Sequence, residues 1–196
     1  DSVQLQSDII RLKRLPSIAN VSYKVIALPN NQYNIIFNFE ENFTLIPAFN
    51  YWTTINTTAY KFGGYEYNLF GENITFGGFY PNNGQNTFGL NVSAPYLFSN
   101  KFGFGLNYLN WKSEEPFYIG DQSANYVYQN TSYELLGSYE LNSKTTFQLG
   151  VSLFNEKYNA TEEITGLDIP NQMDANKQLV KFIYTHQNLD YFYFYI

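Results

Sequence analysis

Apolar and polar positions alternate along most of this chain with a period of two. In residues 87–98 the even positions Phe88, Leu90, Val92, Ala94, Tyr96 and Phe98 are apolar, while Thr87, Gly89, Asn91 and Ser93 are small or polar. The same phase recurs at Ile74, Phe76, Gly78 and Tyr80, at Phe102, Phe104, Leu106 and Tyr108, at Tyr133, Leu135, Gly137, Tyr139 and Leu141, and at Phe147, Leu149, Val151 and Leu153. Successive side chains of a β-strand point to opposite faces, so each run predicts a strand with one apolar and one polar face. Eight such strands are predicted, over residues 43–54, 59–70, 73–80, 87–98, 101–111, 126–141, 145–155 and 178–190.

The connections predict how these strands are strung together. Residues 71–73, 99–101 and 142–144 read as tight turns, whereas 81–86, 113–125 and 155–176 read as longer loops, and the two kinds alternate. Short turns at one end and long loops at the other are the pattern of an outer-membrane β-barrel, with the short turns in the periplasm. The expected fold class is therefore an all-β, antiparallel transmembrane barrel, and Lys, Glu, Asn or Gly interrupts every stretch that could have been a membrane-spanning helix.

The first 41 residues follow another pattern. Residues 7–15 predict a short amphipathic helix, with Ile9, Leu12 and Leu15 on one face, Ser7 as its N-cap and Pro16 closing it. Two strands follow, over 21–28 and 33–39, joined through Pro29, Asn30 and Asn31. Helix, strand and strand form an α+β piece of a water-facing domain over residues 1–41, ahead of a barrel segment over 42–196. No charged-then-apolar leader opens the chain, and the expectation is that it begins inside a longer protein.

Composition narrows the classes. The 19 Tyr and 18 Phe supply the two interfacial girdles of a membrane barrel, and a mean hydropathy of -0.32 reflects the Asn, Gly, Ser and Thr that line a lumen. A soluble all-β domain with an aromatic core is the competing account of the alternation. A net charge of -6 with 11 Lys and Arg argues against nucleic acid as a partner. Acidic residues gather in the predicted loops, at Glu114, Glu115 and Asp121 and at Glu156, Glu162, Glu163, Asp168 and Asp174, as a solvated outer surface. With no cysteine there is no disulfide framework, thiol catalysis or thiolate metal site. Seven Asn-x-Ser/Thr triplets are read as compositional, because several lie inside predicted strands.

Catalytic chemistry is not in sight. There is no Gly-x-Ser-x-Gly elbow, no phosphate-binding glycine loop and no paired His with a Glu, so neither an enzyme nor a cofactor is expected. His186 is read as a structural or interfacial residue. Glu66, Glu134 and Glu140 lie in strands, and the last two fall on the polar phase, where they hydrate the lumen.

Several short runs, in order, carry a family resemblance. Residues 15–25 (LPSIANVSYKV) resemble the end of a polypeptide-transport-associated (POTRA) domain, and residues 33–41 (YNIIFNFEE) its last strand. Residues 65–71 (YEYNLFG), 93–98 (SAPYLF) and 184–191 (YTHQNLDY) resemble barrel segments of the BamA/TamA superfamily of outer-membrane assembly proteins. The family's barrel has about sixteen strands, so the resemblance implies that these eight are the N-terminal half. The Arg-Gly-Phe/Tyr loop motif of the other half is not found here. A complete eight-stranded barrel is the alternative.

The resemblance implies insertion of other barrel proteins into the outer membrane, or polypeptide transport across it. The partners would be the bilayer, unfolded outer-membrane clients and periplasmic or lipoprotein accessory subunits. The working idea is strand augmentation at a weakly paired seam. The expected seam strand carries Phe43, Thr44, Leu45, Ile46, Pro47, Ala48, Phe49 and Asn50, with Phe43, Leu45, Phe49 and Tyr51 toward lipid or the incoming strand. Pro47 cannot donate to a ladder, so it marks an edge or bulge, or else the linker between the two parts. A second candidate strand-addition site lies at Tyr33, Ile35, Phe37 and Phe39. Other readings are a passive porin or adhesin-like barrel, and the barrel part of a patatin-type lipase fusion.

Overall fold

The computed structural model describes residues 2–53, 58–82, 84–97, 99–120, 122–164 and 169–188. The expected ends of the first and last barrel strands at 54 and 189–190, the terminal run 190–196, Phe98, Asp121 and Asp168 lie outside the described residues. The N-terminal part is helix α1 (Ser2–Lys13) and an antiparallel ribbon of β1 (Ile18–Leu28) and β2 (Gln32–Glu41). The helix starts five residues before its predicted start, so Ser7 is interior and not a cap. Asp8 supports the longer helix from both sides, accepting from Gln4 Nε2 at 2.9 Å and pairing with Arg11 one turn on. Asn30 and Asn31 turn the ribbon with φ of 64° and 56°, the left-handed region that Asn tolerates better than most residues.

The rest is one antiparallel sheet of eight strands: β3 (Leu45–Thr53), β4 (Thr58–Leu69), β5 (Ile74–Asn82), β6 (Phe88–Ala94), β7 (Phe102–Ile119), β8 (Gln122–Asn142), β9 (Thr145–Ala160) and β10 (Gln172–His186). Each strand pairs with its neighbours in sequence, in the order β10-β9-β8-β7-β6-β5-β4-β3. All eight predicted strands are present. The predicted loop 113–125 is corrected: β7 and β8 continue through it, paired Glu114 with Val127 and Tyr118 with Ser123, and turn tightly at Gly120, φ 57°. The predicted loop 155–176 shrinks likewise, since β9 runs to Ala160 and β10 begins at Gln172. Charged and amide side chains had signalled loop here, but a ladder needs only backbone groups, and Phe117, Tyr126 and Tyr158 stack edge-on along it.

Polarity is inverted relative to a water-soluble sheet. Register places Leu106, Leu135, Val151 and Val180 in one row on the outward face. Toward the short turns lies an aromatic row of Phe102, Tyr139, Phe147 and Tyr184, and toward the longer strands the pair Tyr108 and Tyr133, ring centroids 5.0 Å apart. Val180 is 71% and Phe182 67% exposed, whereas Thr87 and Ser152 are fully buried. Leu90, Leu106, Tyr133, Leu135, Leu149, Val151, Leu153, Val180, Phe182 and Tyr184 are all exposed on this face. Even at half the usual burial value they withhold roughly 10 kcal/mol in water, as much as the whole stability of a domain. This face is built for hydrocarbon, with an aliphatic belt between aromatic rows. Among the described residues no helix is long and apolar enough to cross a membrane, so strands carry this apolar surface.

Bulky inner-face side chains lie over glycines of the next strand. Tyr65 covers Gly77 and Phe79 covers Gly89, where a Cβ would fall within 3 Å of the ring. Gly103 is less forgiving, because a Cβ there would meet the Pro95 backbone at 2.4 Å, which has no rotamer to escape by. A Cβ on the outward Gly137 would touch only Leu149 O at 3.8 Å. Gly103→Ala should therefore lower the urea stability of the protein in detergent by about 1–3 kcal/mol, with Gly137→Ala nearly neutral. Equal effects of the two substitutions would contradict this packing.

Candidate strand edge and polar inner face

The predicted seam residues form the last strand of the sheet. β3 has one partner, β4, among the described residues, and its other edge is open. Phe43 and Thr44 precede the strand rather than belonging to it, although Tyr67 N–H still donates to Thr44 C=O at 3.0 Å. That bond sets the alternation: the even residues Thr44, Ile46, Ala48 and Asn50 turn their backbone groups toward β4, and the odd residues Leu45, Pro47, Phe49 and Tyr51 turn theirs to the open edge. Pro47 therefore lacks its N–H on the unpaired side, where it costs no ladder bond. It sits inside β3 opposite Gly64, not in the connection to the N-terminal part. Phe49 and Tyr51 are exposed and lie opposite Phe62 and Tyr60.

The second predicted edge lies on the ribbon. Tyr33, Ile35, Phe37 and Phe39 pair with Ala27, Val25, Tyr23 and Val21, so one whole face of the ribbon is apolar. Tyr33, Ile35 and Phe39 are exposed, and Phe37 is half-buried, stacked on Phe39. The structure does not merge the two candidate edges into one site, since β2 and β3 belong to separate sheets. It places them three residues apart in the chain, across 42–44.

Those three residues are tied to the helix end. Asn42 N–H donates to Ser17 C=O at 2.9 Å, its side-chain amide donates to Pro16 C=O at 3.2 Å, and its Oδ1 accepts from Phe43 N–H. Ser17 Oγ in turn donates to Asn73 Oδ1 in the β4–β5 turn. That turn is the NLFG segment, where Phe70 and Gly71 take φ of 60° and 78°, and Glu66 caps it by accepting from Asn68 N–H at 2.8 Å.

Glu140 closes the junction from the sheet side. Its Oε1 accepts from Arg11 Nε at 2.9 Å and its Oε2 from the Tyr96 hydroxyl at 3.0 Å, with the carboxylate almost wholly buried. Burial first, and then the Glu140 charge, push the Tyr96 phenol up to about 12 from 10.0. Glu134 lies further along the inner face, between adjacent strands. It accepts from Asn107 Nδ2 at 2.8 Å and Ser152 Oγ at 2.7 Å, pairs with Lys181, and extends through Asn107 to Asn91. This network ties β6 through β10.

Sequence reasoning placed Glu134 and Glu140 on the inner face but read them as hydration. Each instead has specific protein partners. The signal for Glu134 was Lys181, an odd position between Val180 and Phe182, which puts its ammonium on the same inner face. Nothing in the sequence pairs Arg11 with a residue 129 positions away. His186 Nδ1 lies 3.0 Å from Thr145 Oγ1, a cross-strand contact in keeping with its structural reading. Among the described residues no three metal-ligating side chains converge.

An antiparallel meander with an apolar outer face, a hydrogen-bonded polar inner face and, among the described residues, an end strand on each side is the wall of a transmembrane-barrel type of fold. Its backbone is similar to the crystal structure of BamA from Haemophilus ducreyi lacking POTRA domains 1–3, with a TM-score of 0.62 and 18% identity. The likeness covers 99% of this chain and 39% of that chain, so this chain spans about two fifths of the protein it resembles. No protein-family model matches the sequence, and no curated protein matches it.

Two outcomes follow from the junction. Glu140→Gln should loosen the N-terminal part, costing about 2 kcal/mol of local stability, read as faster amide exchange at Asn42 with the β7–β9 ladder unchanged. Unchanged exchange at Asn42 would show the ion pair to be idle. Tyr96 binds its proton more tightly folded than unfolded, so its contribution is complete below pH 10 and falls away between pH 10 and about 12. Tyr96→Phe should flatten that alkaline loss of Asn42 protection, and an identical alkaline profile in the variant would contradict the assignment.

Proposed function

We propose that this chain is the N-terminal half of a sixteen-stranded outer-membrane barrel of the BamA/TamA type, entered from a POTRA-like domain whose final part is residues 1–41. On this reading residues 42–196 supply eight of the barrel strands, the short turns face the periplasm, and the protein inserts other barrels into the outer membrane or passes polypeptides across it without covalent chemistry. Its partners are the bilayer, unfolded outer-membrane clients and accessory subunits on the periplasmic side.

One observation carries the reading. The open edge of β3 presents the backbone groups of Leu45, Phe49 and Tyr51 beside outward apolar side chains, and the one proline of the strand has its missing N–H on that same open side. An incoming strand can hydrogen-bond there while its apolar side chains join the lipid-facing row. A fully paired barrel strand has no such groups to offer. The ribbon face of Tyr33, Ile35, Phe37 and Phe39, held next to β3 by the Asn42 and Ser17 contacts, is a natural place for a client segment before it reaches the seam.

Proline substitutions separate templating from folding. Phe49→Pro removes an N–H from the open edge and leaves every β3–β4 bond in place, whereas Ala48→Pro breaks that ladder. In liposomes, Phe49→Pro should abolish insertion of an unfolded barrel client, followed by protease protection, with the variant itself still membrane-embedded. Full insertion activity in Phe49→Pro would remove β3 as the template.

A further inference from the structure

We infer that Phe70, with Phe43 beside the same turn, anchors the base of β3 and β4 in the head-group layer of the bilayer on the short-turn side. Phe70 is 85% exposed, more than Val180 or Phe182 on the outward face, and sits at φ 60°. A bulky residue rarely takes that conformation, and glycine would hold it without strain.

The turn is determined without the ring. Gly71 N–H donates to Asn68 C=O at 2.9 Å, Glu72 N–H to Leu69 C=O at 3.3 Å, and Asn73 N–H to Asn68 Oδ1 at 2.9 Å. At its exposure the ring adds almost nothing to internal packing either. A strained residue that packs on nothing within the chain points to a contact outside it.

Continuity with the apolar outward face identifies that contact as lipid. Leu69 lies opposite Ile74, and Ile74 and Phe76 continue the outward phase of β5 away from the turn. Phe43 is exposed, continues the outward phase of Leu45 and Phe49, and is held against β4 by the bond between Tyr67 N–H and Thr44 C=O. The other two short connections repeat the arrangement, with Leu97 after β6 and Leu141 at the end of β8 both exposed.

The depth agrees. Register runs one outward row through Phe76, Val92, Leu106, Leu135 and Val151. That row lies two residues from the short-turn end of β5, four from that of β7 and six from that of β9, so the strands are tilted against the line of the turns, as barrel strands are. On β9, six residues are roughly 20 Å of strand, or about 15 Å along the membrane normal at the usual tilt. That is half a hydrocarbon core, so the short turns stand at head-group level when the belt is centred on Val151. Glu66 shares the outward face of β4, but its Oε1 turns back to Asn68 N–H in the turn, and Glu72 on the turn itself is exposed. Both carboxylates fit a turn seated at the interface and not below it.

The inference needs the outward face to meet lipid and does not depend on insertion activity. The test places one nitroxide at a time on the cysteine-free chain in phosphatidylcholine liposomes, through Phe70→Cys, Val180→Cys or Tyr118→Cys. It compares collisions with oxygen, which concentrates in hydrocarbon, against those with a water-soluble nickel chelate. The three positions are matched in exposure, at 85%, 71% and 73%, and Tyr118 stands far out on the long β7–β8 hairpin. Position 70 should give an oxygen-to-chelate ratio well above that of position 118 and at most that of position 180. A ratio equal to that of position 118 puts the ring in water, and low collision rates with both relaxants put it under protein; either overturns the anchor. A watery reading at position 180 overturns it differently, by removing the lipid-facing wall itself. Phe70→Gly suits φ 60° and keeps the turn, yet it should shift a label at Phe43→Cys toward the chelate, whereas Phe70→Trp should not. An unshifted label at position 43 in Phe70→Gly would overturn the anchoring role.

Discussion

Everything in this sheet depends on keeping one register. Side chains alternate between an apolar outer face and a polar inner face, so a slip of one residue in any strand would move its whole apolar set inward and its polar set outward. The Glu134 network makes that slip costly. Its carboxylate takes hydrogen bonds from β7 and β9 and a counter-charge from β10, and Asn107 carries the contact on to Asn91 in β6. A shift of β8 alone would carry a carboxylate into a medium with no partner for it, far costlier than losing a hydrogen bond. The glycines covered by Tyr65 and Phe79 act in the same sense by steric fit.

That locked centre gives the free end its meaning. The inner-face network reaches β6 through β10, while β3 to β5 are held by backbone pairing, by Tyr65 and Phe79 lying over glycines, and by the contact between Lys61 and the Phe79 ring. Of the two end strands, β3 and β10, the one outside the inner-face network is therefore β3. The Arg11, Glu140 and Tyr96 cluster then fixes the N-terminal helix to the well-braced side, at the β8 end, while Asn42 and Ser17 fix the start of β3 to the helix. The candidate edge is thereby positioned relative to the rest of the sheet without being paired to it.

Much of this was legible because a period of two is a strong signal when one face meets hydrocarbon. The eight strands, their phase and the inner placement of Glu134 and Glu140 all come from that period. What the sequence hid was of two kinds. Glu114, Glu115 and the amides around them looked like loop because polar composition was taken for irregular backbone, yet the β7–β8 ladder is made by backbone groups and tolerates such side chains. Long-range partners were the other gap: Arg11 with Glu140, and Ser17 with Asn73, are set by how the N-terminal part meets the sheet, which no local pattern encodes. The helix start was missed because Ser7 is a good cap in isolation, but Gln4, Asp8 and Arg11 make a continuous helical face through it.

The chain contains no cysteine, so single cysteines placed on it report unambiguously. The most direct test of the account is disulfide capture between Phe49→Cys and a cysteine in the terminal strand of an unfolded barrel client during insertion into liposomes, with Val180→Cys on the outward face of β10 as the comparison. The account predicts a cross-linked intermediate through position 49, in register with the client strand and absent from position 180. Capture at position 180 with none at 49, while insertion proceeds normally, would contradict it.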